Sequence, residues 1–349
     1  MQDVKTDKIY HSNVNHSLDS VDIAKFVGSI LIFAMHCTAL VDYKITQNLL
    51  EIISHWGVPF FFVSSSYFLH KKNAGGNIER KHLLHYLSRI GMLYLYWMIF
   101  NLPSIYIIHF YQKDLSSVNT WLDFFKCFFL SSTFTGSWYL VSCIFSACFI
   151  YWLSKRLKTK MILLLTLPFY LLCVFTSVYK GILPVQLYNI FYELCFPLNI
   201  FNGCFCFALG KYISENEYML TKYLAKKRAL FLFVLSYLLF VIEILFTMHF
   251  NVFGSTSVAF STALLSYALF LICLETKISI KNNILLRKLS IIIYCCQSNV
   301  LIFNSFCKKI LGGHSFIAFI LSCIVVAIIS QIIIIVQKKS QRKWVNYLT

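Results

Sequence analysis

Charge is scarce in this sequence. Of its 349 residues only 13% are Asp, Glu, Lys or Arg, while 58% are hydrophobic. A water-soluble chain of this length covers its core with far more polar surface, so a soluble globular fold is excluded. Also missing are a C-x-x-C pair, an internal repeat of roughly 20–50 residues, a long low-complexity stretch and a linker to a second domain. Without C-x-x-C, and with Cys143, Cys148, Cys173 and Cys295 inside apolar segments, the 13 cysteines read as small buried apolar residues. Disulfides and zinc do not fit that setting. Cys204 and Cys206 are two apart and face different sides of a helix. Residues 1–20 are polar and mixed in charge. They are too long and too acidic for a signal-peptide n-region, so the first apolar segment is expected to remain as a helix.

What is present is a series of apolar blocks, each near twenty residues. They fall at 21–40, 52–69, 86–110, 137–154, 161–178, 190–212, 229–249, 256–274, 289–307 and 316–336. Each is long enough to cross a hydrocarbon core of ~30 Å at ~1.5 Å per residue. The fold class expected is therefore all-α, a polytopic transmembrane helical bundle of about ten spans. One membrane domain occupies 21–336, between an N-terminal tail of 1–20 and a basic tail of 337–349. Within the outward connection 111–136, the segment Trp121 to Leu130 is apolar enough to lie on the membrane surface.

The net charge of +17 invites a nucleic-acid reading, but its distribution argues for a lipid bilayer instead. With both termini placed in the cytoplasm, 23 of the 31 Lys and Arg fall on the cytoplasmic side. Only Lys44, Lys113, Lys126, Lys180, Lys308 and Lys309 fall on the other, and Lys25 and Arg89 lie within spans. That bias is the positive-inside rule. The basic charge reports orientation and no nucleic-acid partner.

An ionisable group inside a span is costly unless paired or wetted, so each is a functional candidate. Lys25 and His36 are eleven residues apart on the first span, with Asp22 one turn before Lys25. At ~100° per residue the two share a face, ~16 Å apart along the axis. The reading places Lys25 near the cytoplasmic mouth and His36 deep in the bundle. A cation at an entrance and a titratable base within suit an anionic cytosolic ligand and proton transfer. The structural alternatives are a snorkelling anchor for Lys25 and a hydrogen-bonding core imidazole for His36. Arg89 opens the third span and is either a bidentate phosphate ligand or an anchor. Glu243 lies in the seventh span, where it either supports a base or acceptor sugar or pairs with a bundle partner. Trp138 and Tyr139 open the fourth span, as an interfacial aromatic belt or as faces that stack on a sugar. His82 and His85 sit i, i+3 on a basic loop; with no third ligand beside them, no metal site is assigned.

Several blocks together resemble the acyltransferase 3 family of membrane O-acyltransferases. Its first span begins with Asp, an Arg or Lys, ten residues and then His, and Asp22-Ile23-Ala24-Lys25 through His36 is similar. Gly57-Val58-Pro59-Phe60-Phe61-Phe62-Val63-Ser64-Ser65-Ser66-Tyr67-Phe68-Leu69 resembles its second span, with Ser66 where many members have Gly. Arg89 to Trp97 resembles its third, Gly136-Ser137-Trp138-Tyr139-Leu140 the start of its fourth, Phe207-Ala208-Leu209-Gly210 the close of its sixth, and Ser290-Ile291-Ile292-Ile293-Tyr294 its ninth. The blocks run in family order over roughly 20–336. Two departures stand out. Gln297 replaces a His found three residues after the ninth-span Tyr, and it cannot titrate. An arginine of many members has no clear match near Pro197 to Asn202.

The resemblance implies transfer of an acyl group, most often acetyl, from a cytosolic acyl-CoA such as acetyl-CoA to a carbohydrate hydroxyl. The usual acceptor is a surface polysaccharide or its lipid-linked precursor, and the enzyme is implied to sit in the cytoplasmic membrane. An alcohol loses its proton as it attacks a thioester, and His is the usual base near neutral pH. His36 would be catalytic, while Lys25 and Arg89 hold the donor's phosphates or position the thioester. Asp22, Trp138, Tyr139 and Glu243 would serve the acceptor or support the site. Direct transfer and a covalent acyl-enzyme are both chemically open; direct transfer is favoured because no nucleophile stands beside His36 in the sequence. The competing class is a flippase, transporter or polysaccharide polymerase without acyl transfer, and a third is a non-catalytic sensor. No inverted repeat or paired broken helices are legible, which counts against a transporter.

Overall fold

In lipid a backbone polar group finds no water, so long apolar runs satisfy their N–H and C=O groups within their own segment and become helices. The computed structural model describes residues 18–40, 44–71, 78–194, 198–223, 226–254, 258–340 and 347–349. Among these residues the regular structure is all helical: α1 Asp19–His36, α2 Lys44–Ser54, α3 Gly57–Lys71, α4 Arg80–Phe100, α5 Leu102–His109, α6 Val118–Leu130, α7 Ser137–Ser154 and α8 Thr159–Thr176. After a 3-10 turn at Lys180–Ile182 come α9 Val185–Leu194, α10 Leu198–Tyr223, α11 Lys226–His249, α12 Phe260–Glu275, α13 Asn283–Ile310 and α14 Ser315–Lys339.

The protein is a multi-pass helical bundle. Among the described residues six helical segments are long and apolar enough to cross a membrane, and the α4–α5 pair, bent by 78°, makes a seventh if taken as one span. The other expected spans also form helices but carry less apolar length. α1 holds Asp19, Asp22 and Lys25 in 18 residues, α12 is 16 residues long, and α10 ends in the polar stretch from Lys211 to Lys222. α11 and α14 turn Phe231, Leu238, Ile242, Ile324, Ile328 and Ile332 outward, an apolar surface that suits lipid and not water.

The third expected span is not one straight helix. Asn101 breaks it, and α5 restarts with Pro103 in its first turn, where the missing N–H costs nothing. Buried Asn101 ties the break to the neighbouring helix, its Nδ2 donating to the Trp97 carbonyl (2.8 Å) and to the Cys295 carbonyl of α13 (2.9 Å). α6 contains the apolar Trp121–Leu130 segment, with Trp121, Leu122, Phe125 and Phe129 exposed.

Two packings set the interior. α3 lies against α10 and α1 against α13. At the first, a Cβ on Gly210 would run into the Val63 carbonyl, and the Ser66 hydroxyl donates to the Phe207 carbonyl (2.5 Å). Small residues let the two backbones meet, as is usual between membrane helices. At the second, the acidic first turn of α1 is clamped by the start of α13, by the connection before it and by the end of α12. Asp19 accepts from the Ile280 amide and the Asn283 side chain, both at 2.7 Å, and the Ser20 hydroxyl donates to the Cys273 carbonyl (2.6 Å).

Candidate functional site

Between α1, α3, α4, α7 and α13 lies a cavity of about 370 Å³. Its residues sort along its length. α4 contributes from His82 to Leu93, eleven residues or ~16 Å of helix. At one end stand Lys25, His82, His85, Arg89 and Arg287. At the other, Phe61, Tyr139, Leu140, Tyr294 and Cys295 leave an apolar, aromatic surround. The basic end lies toward the start of α4, which opens with Arg80 and Lys81.

Asp22 belongs to the basic end, but its carboxylate is engaged. It is 4% exposed and receives Arg287 through two parallel bonds, Nη2 to Oδ2 at 2.8 Å and Nε to Oδ1 at 3.2 Å. That fork fixes the guanidinium in orientation, while Arg287 keeps 46% of its side chain exposed. The Lys25 ammonium sits 5.5 Å over the Phe68 ring, a favourable place for a cation. Arg89 is exposed into the cavity. Lys25, Arg89 and Arg287 thus share this end with one carboxylate that is already paired, a basic lining that suits an anionic ligand.

Deeper in, the Ser65 and Tyr139 hydroxyls bond to each other at 2.9 Å. The Tyr294 hydroxyl donates to the Gly136 carbonyl (3.0 Å). Gly136 sits just before α7 at φ +89°, a left-handed conformation that suits glycine. A side chain there would also collide with Gln297. The Gly136-to-Leu140 block therefore turns the chain tightly enough to aim Tyr139 into the cavity. Gln297 is fully buried one turn beyond Tyr294 and donates weakly to the Thr135 carbonyl (3.4 Å).

The structure brings Lys25, Arg89, Asp22 and Tyr139 together here, and leaves the other sequence candidates outside. His36 is not deep in the bundle. It is the exposed last residue of α1, because the helix that was expected to run to residue 40 stops there. Lys308 caps that end, donating to the Cys37 carbonyl (2.8 Å) and bonding the Thr38 hydroxyl. Trp138 packs against Phe62 at 6.2 Å and does not line the cavity. Glu243 serves the bundle, accepting from the Phe260 amide (2.7 Å), the Ser261 amide (3.1 Å) and the Ser261 hydroxyl (2.7 Å) at the start of α12. Tyr347 stacks on Tyr96 at 6.3 Å, the Leu348 carbonyl accepts from Trp97 Nε1 (3.2 Å), and Gln337 Nε2 donates to the Thr349 hydroxyl (2.8 Å). Tyr347 and Thr349 thereby join the cavity wall.

Arg287 is the residue that sequence reading missed. It stood among four basic residues of one connection and counted toward orientation. The available signal was Asp22, a carboxylate in an apolar helix, which needs a cation partner; which cation was not legible.

Fold and cavity define a multi-pass membrane protein with an elongated internal site, cationic at one end and apolar at the other. The family model for the acyltransferase domain matches residues 18–335, nearly the whole chain. The chain belongs to the acyltransferase 3 family. Among characterised proteins, an amino-acid racemase of Enterococcus faecalis is 28% identical over 221 residues, which cover 60% of this chain and 30% of the racemase. The chain thus spans well under two thirds of that relative's length. No solved structure matches the chain.

Proposed function

We propose that the protein takes acetyl from acetyl-CoA and transfers it to a hydroxyl of a cell-surface polysaccharide or its lipid-linked precursor. The observation that carries the reading is the polarity of the cavity. An acyl-CoA is a polyanion at one end and a thioester with an apolar acyl group at the other, joined by a long thin arm. Lys25, Arg89 and Arg287 suit the phosphates, and the surround of Phe61, Leu140 and Tyr294 suits the acyl end. The basic end faces the cytoplasm by the positive-inside count, where acyl-CoA is found. About ten spans, cytoplasmic termini and the cytoplasmic membrane belong to the same proposal.

His36 is the base that takes the hydroxyl proton. It lies eleven residues beyond Lys25 on α1, toward the opposite face, so donor and acceptor approach from opposite sides. Glu243, fully engaged in holding α12, takes no part in the chemistry.

The test is consumption of acetyl-CoA labelled in the acetyl group by purified protein in liposomes, with a glycan acceptor added. Label is expected in the acceptor, with free coenzyme A released in equal amount. Glycan that gains no label while the donor stays intact returns the protein to the flippase, transporter or polymerase class.

A further inference from the structure

His82 and His85 line the cavity together with Lys25, Arg89 and Arg287, and the reading above gives them no task. Both stand on α4, where His82, His85 and Arg89 follow one another at spacings of three and four residues. That spacing puts all three on one helix face, and the row covers ~10 Å of axis. The histidines stand nearer the start of the helix and Arg89 stands deeper. Ile90 and Leu93 come next on the lining. Along α4 the cavity wall therefore runs from imidazole through guanidinium to hydrocarbon.

The charge around this row is one-sided. Among the described residues Asp22 is the one carboxylate of the lining, and Arg287 holds it. Glu79 precedes α4, is exposed and lies outside the lining. A helix start favours acidic side chains, yet the first turn of α4 has none and opens with Arg80, Lys81 and His82. Backbone and side chains together make the mouth attractive to anions. The row is also longer than a single phosphate needs.

Coenzyme A carries its anions in two places. From the end remote from the thioester come a phosphate monoester on the ribose, then a pyrophosphate, then the uncharged pantetheine arm. We propose that His82 and His85 bind the ribose phosphate monoester of the donor at the mouth of the cavity, outside the pyrophosphate that Arg89, Lys25 and Arg287 hold. This rests on the acyl-CoA reading above. An imidazole offers an N–H to a phosphate oxygen whether it is neutral or charged, and side chains at i and i+3 are near enough to share one phosphate. A monoester carries up to about two charges near neutral pH, so it is the part of the ligand that gains most from a basic mouth. A thioester of dephospho-coenzyme A, or of pantetheine on a carrier protein, lacks the group that fills this place.

The experiment compares two probes, coenzyme A and dephospho-coenzyme A, which differ in that one phosphate. Binding of each is measured by calorimetry on the whole chain in lipid nanodiscs. The wild type is expected to bind coenzyme A about tenfold or more tightly than dephospho-coenzyme A, the worth of one or more charge-assisted hydrogen bonds. The double variant His82→Ala/His85→Ala should lose that preference through weaker binding of coenzyme A, with the affinity for dephospho-coenzyme A unchanged. The second probe is thus the measure of folding, and alanine keeps the start of α4 helical. Arg89→Ala should weaken both probes alike and keep the preference. A wild type that binds the two probes equally overturns the inference, as does a double variant that keeps the wild-type preference or weakens both probes by the same factor. These outcomes leave the acyl-CoA reading standing. A wild type that binds neither probe overturns the reading itself.

Discussion

Arg89 and Arg287 reach one cavity from different helices, and only Arg287 has its guanidinium held by a carboxylate. Arg89 is therefore the cation with donors left for a phosphate. Charge-assisted hydrogen bonds are worth ~1.5–3 kcal/mol, so Arg89→Ala should weaken coenzyme A binding by about tenfold to a hundredfold. Arg89→Lys should recover only part, since the fork is lost. Calorimetry on the purified variants reads this, and unchanged affinity in both makes Arg89 an anchor. His36 calls for a different measurement. His36→Ala should lower acetyl transfer by ~10²–10⁴ if the imidazole is the general base, with membrane abundance and coenzyme A affinity kept, because the residue lies outside the donor cavity. His36→Gln separates proton transfer from hydrogen bonding, and near-normal transfer in that variant would show that the imidazole only positions a partner. Lys25 and Arg89 were legible as candidates from the sequence because a charge in an apolar run stands out. Phe61 and Tyr294 were not, although both lay in family-like blocks. An aromatic in a sequence rich in aromatics carries no mark of the rings it will meet from other helices.

Helices were legible where apolar runs were long, and less so where a helix is short or interrupted. α7 occupies 137–154 as expected, since its run is uninterrupted. The α4–α5 bend was hidden because Asn101 and Pro103 sit in an otherwise apolar stretch, and the bond from Asn101 to Cys295 depends on a helix nearly two hundred residues away. Most of α2 fell outside the expected span 52–69, because Lys44, Gln47, Asn48 and Glu51 interrupt its apolar residues. Glu243 makes an element-level prediction. It supplies from α11 the acceptors that the first amides of α12 lack within their own helix. Glu243→Ala removes them and should cost about 1–3 kcal/mol, seen as a lower midpoint in thermal unfolding in detergent. Acetyl transfer by the folded fraction should match wild type. A variant as stable as wild type but inactive would return Glu243 to the chemistry.

At the scale of the molecule, the proposed topology puts 70–85, 155–160 and 213–228 on the cytoplasmic side. Arg156→Cys on a background without accessible thiols should resist an impermeant maleimide in intact cells and react after permeabilisation. Labelling of intact cells would invert the topology and put the basic end of the cavity outside, away from any acyl-CoA. The wall around that cavity includes Tyr347 and Thr349, clasped by Tyr96 and Gln337. A bench consequence follows. A purification handle or fluorescent reporter joined to Thr349 pulls on the wall of the site whose activity is to be assayed. A cleavable handle lets one preparation be measured before and after its removal, and the donor KM is expected to change at that step.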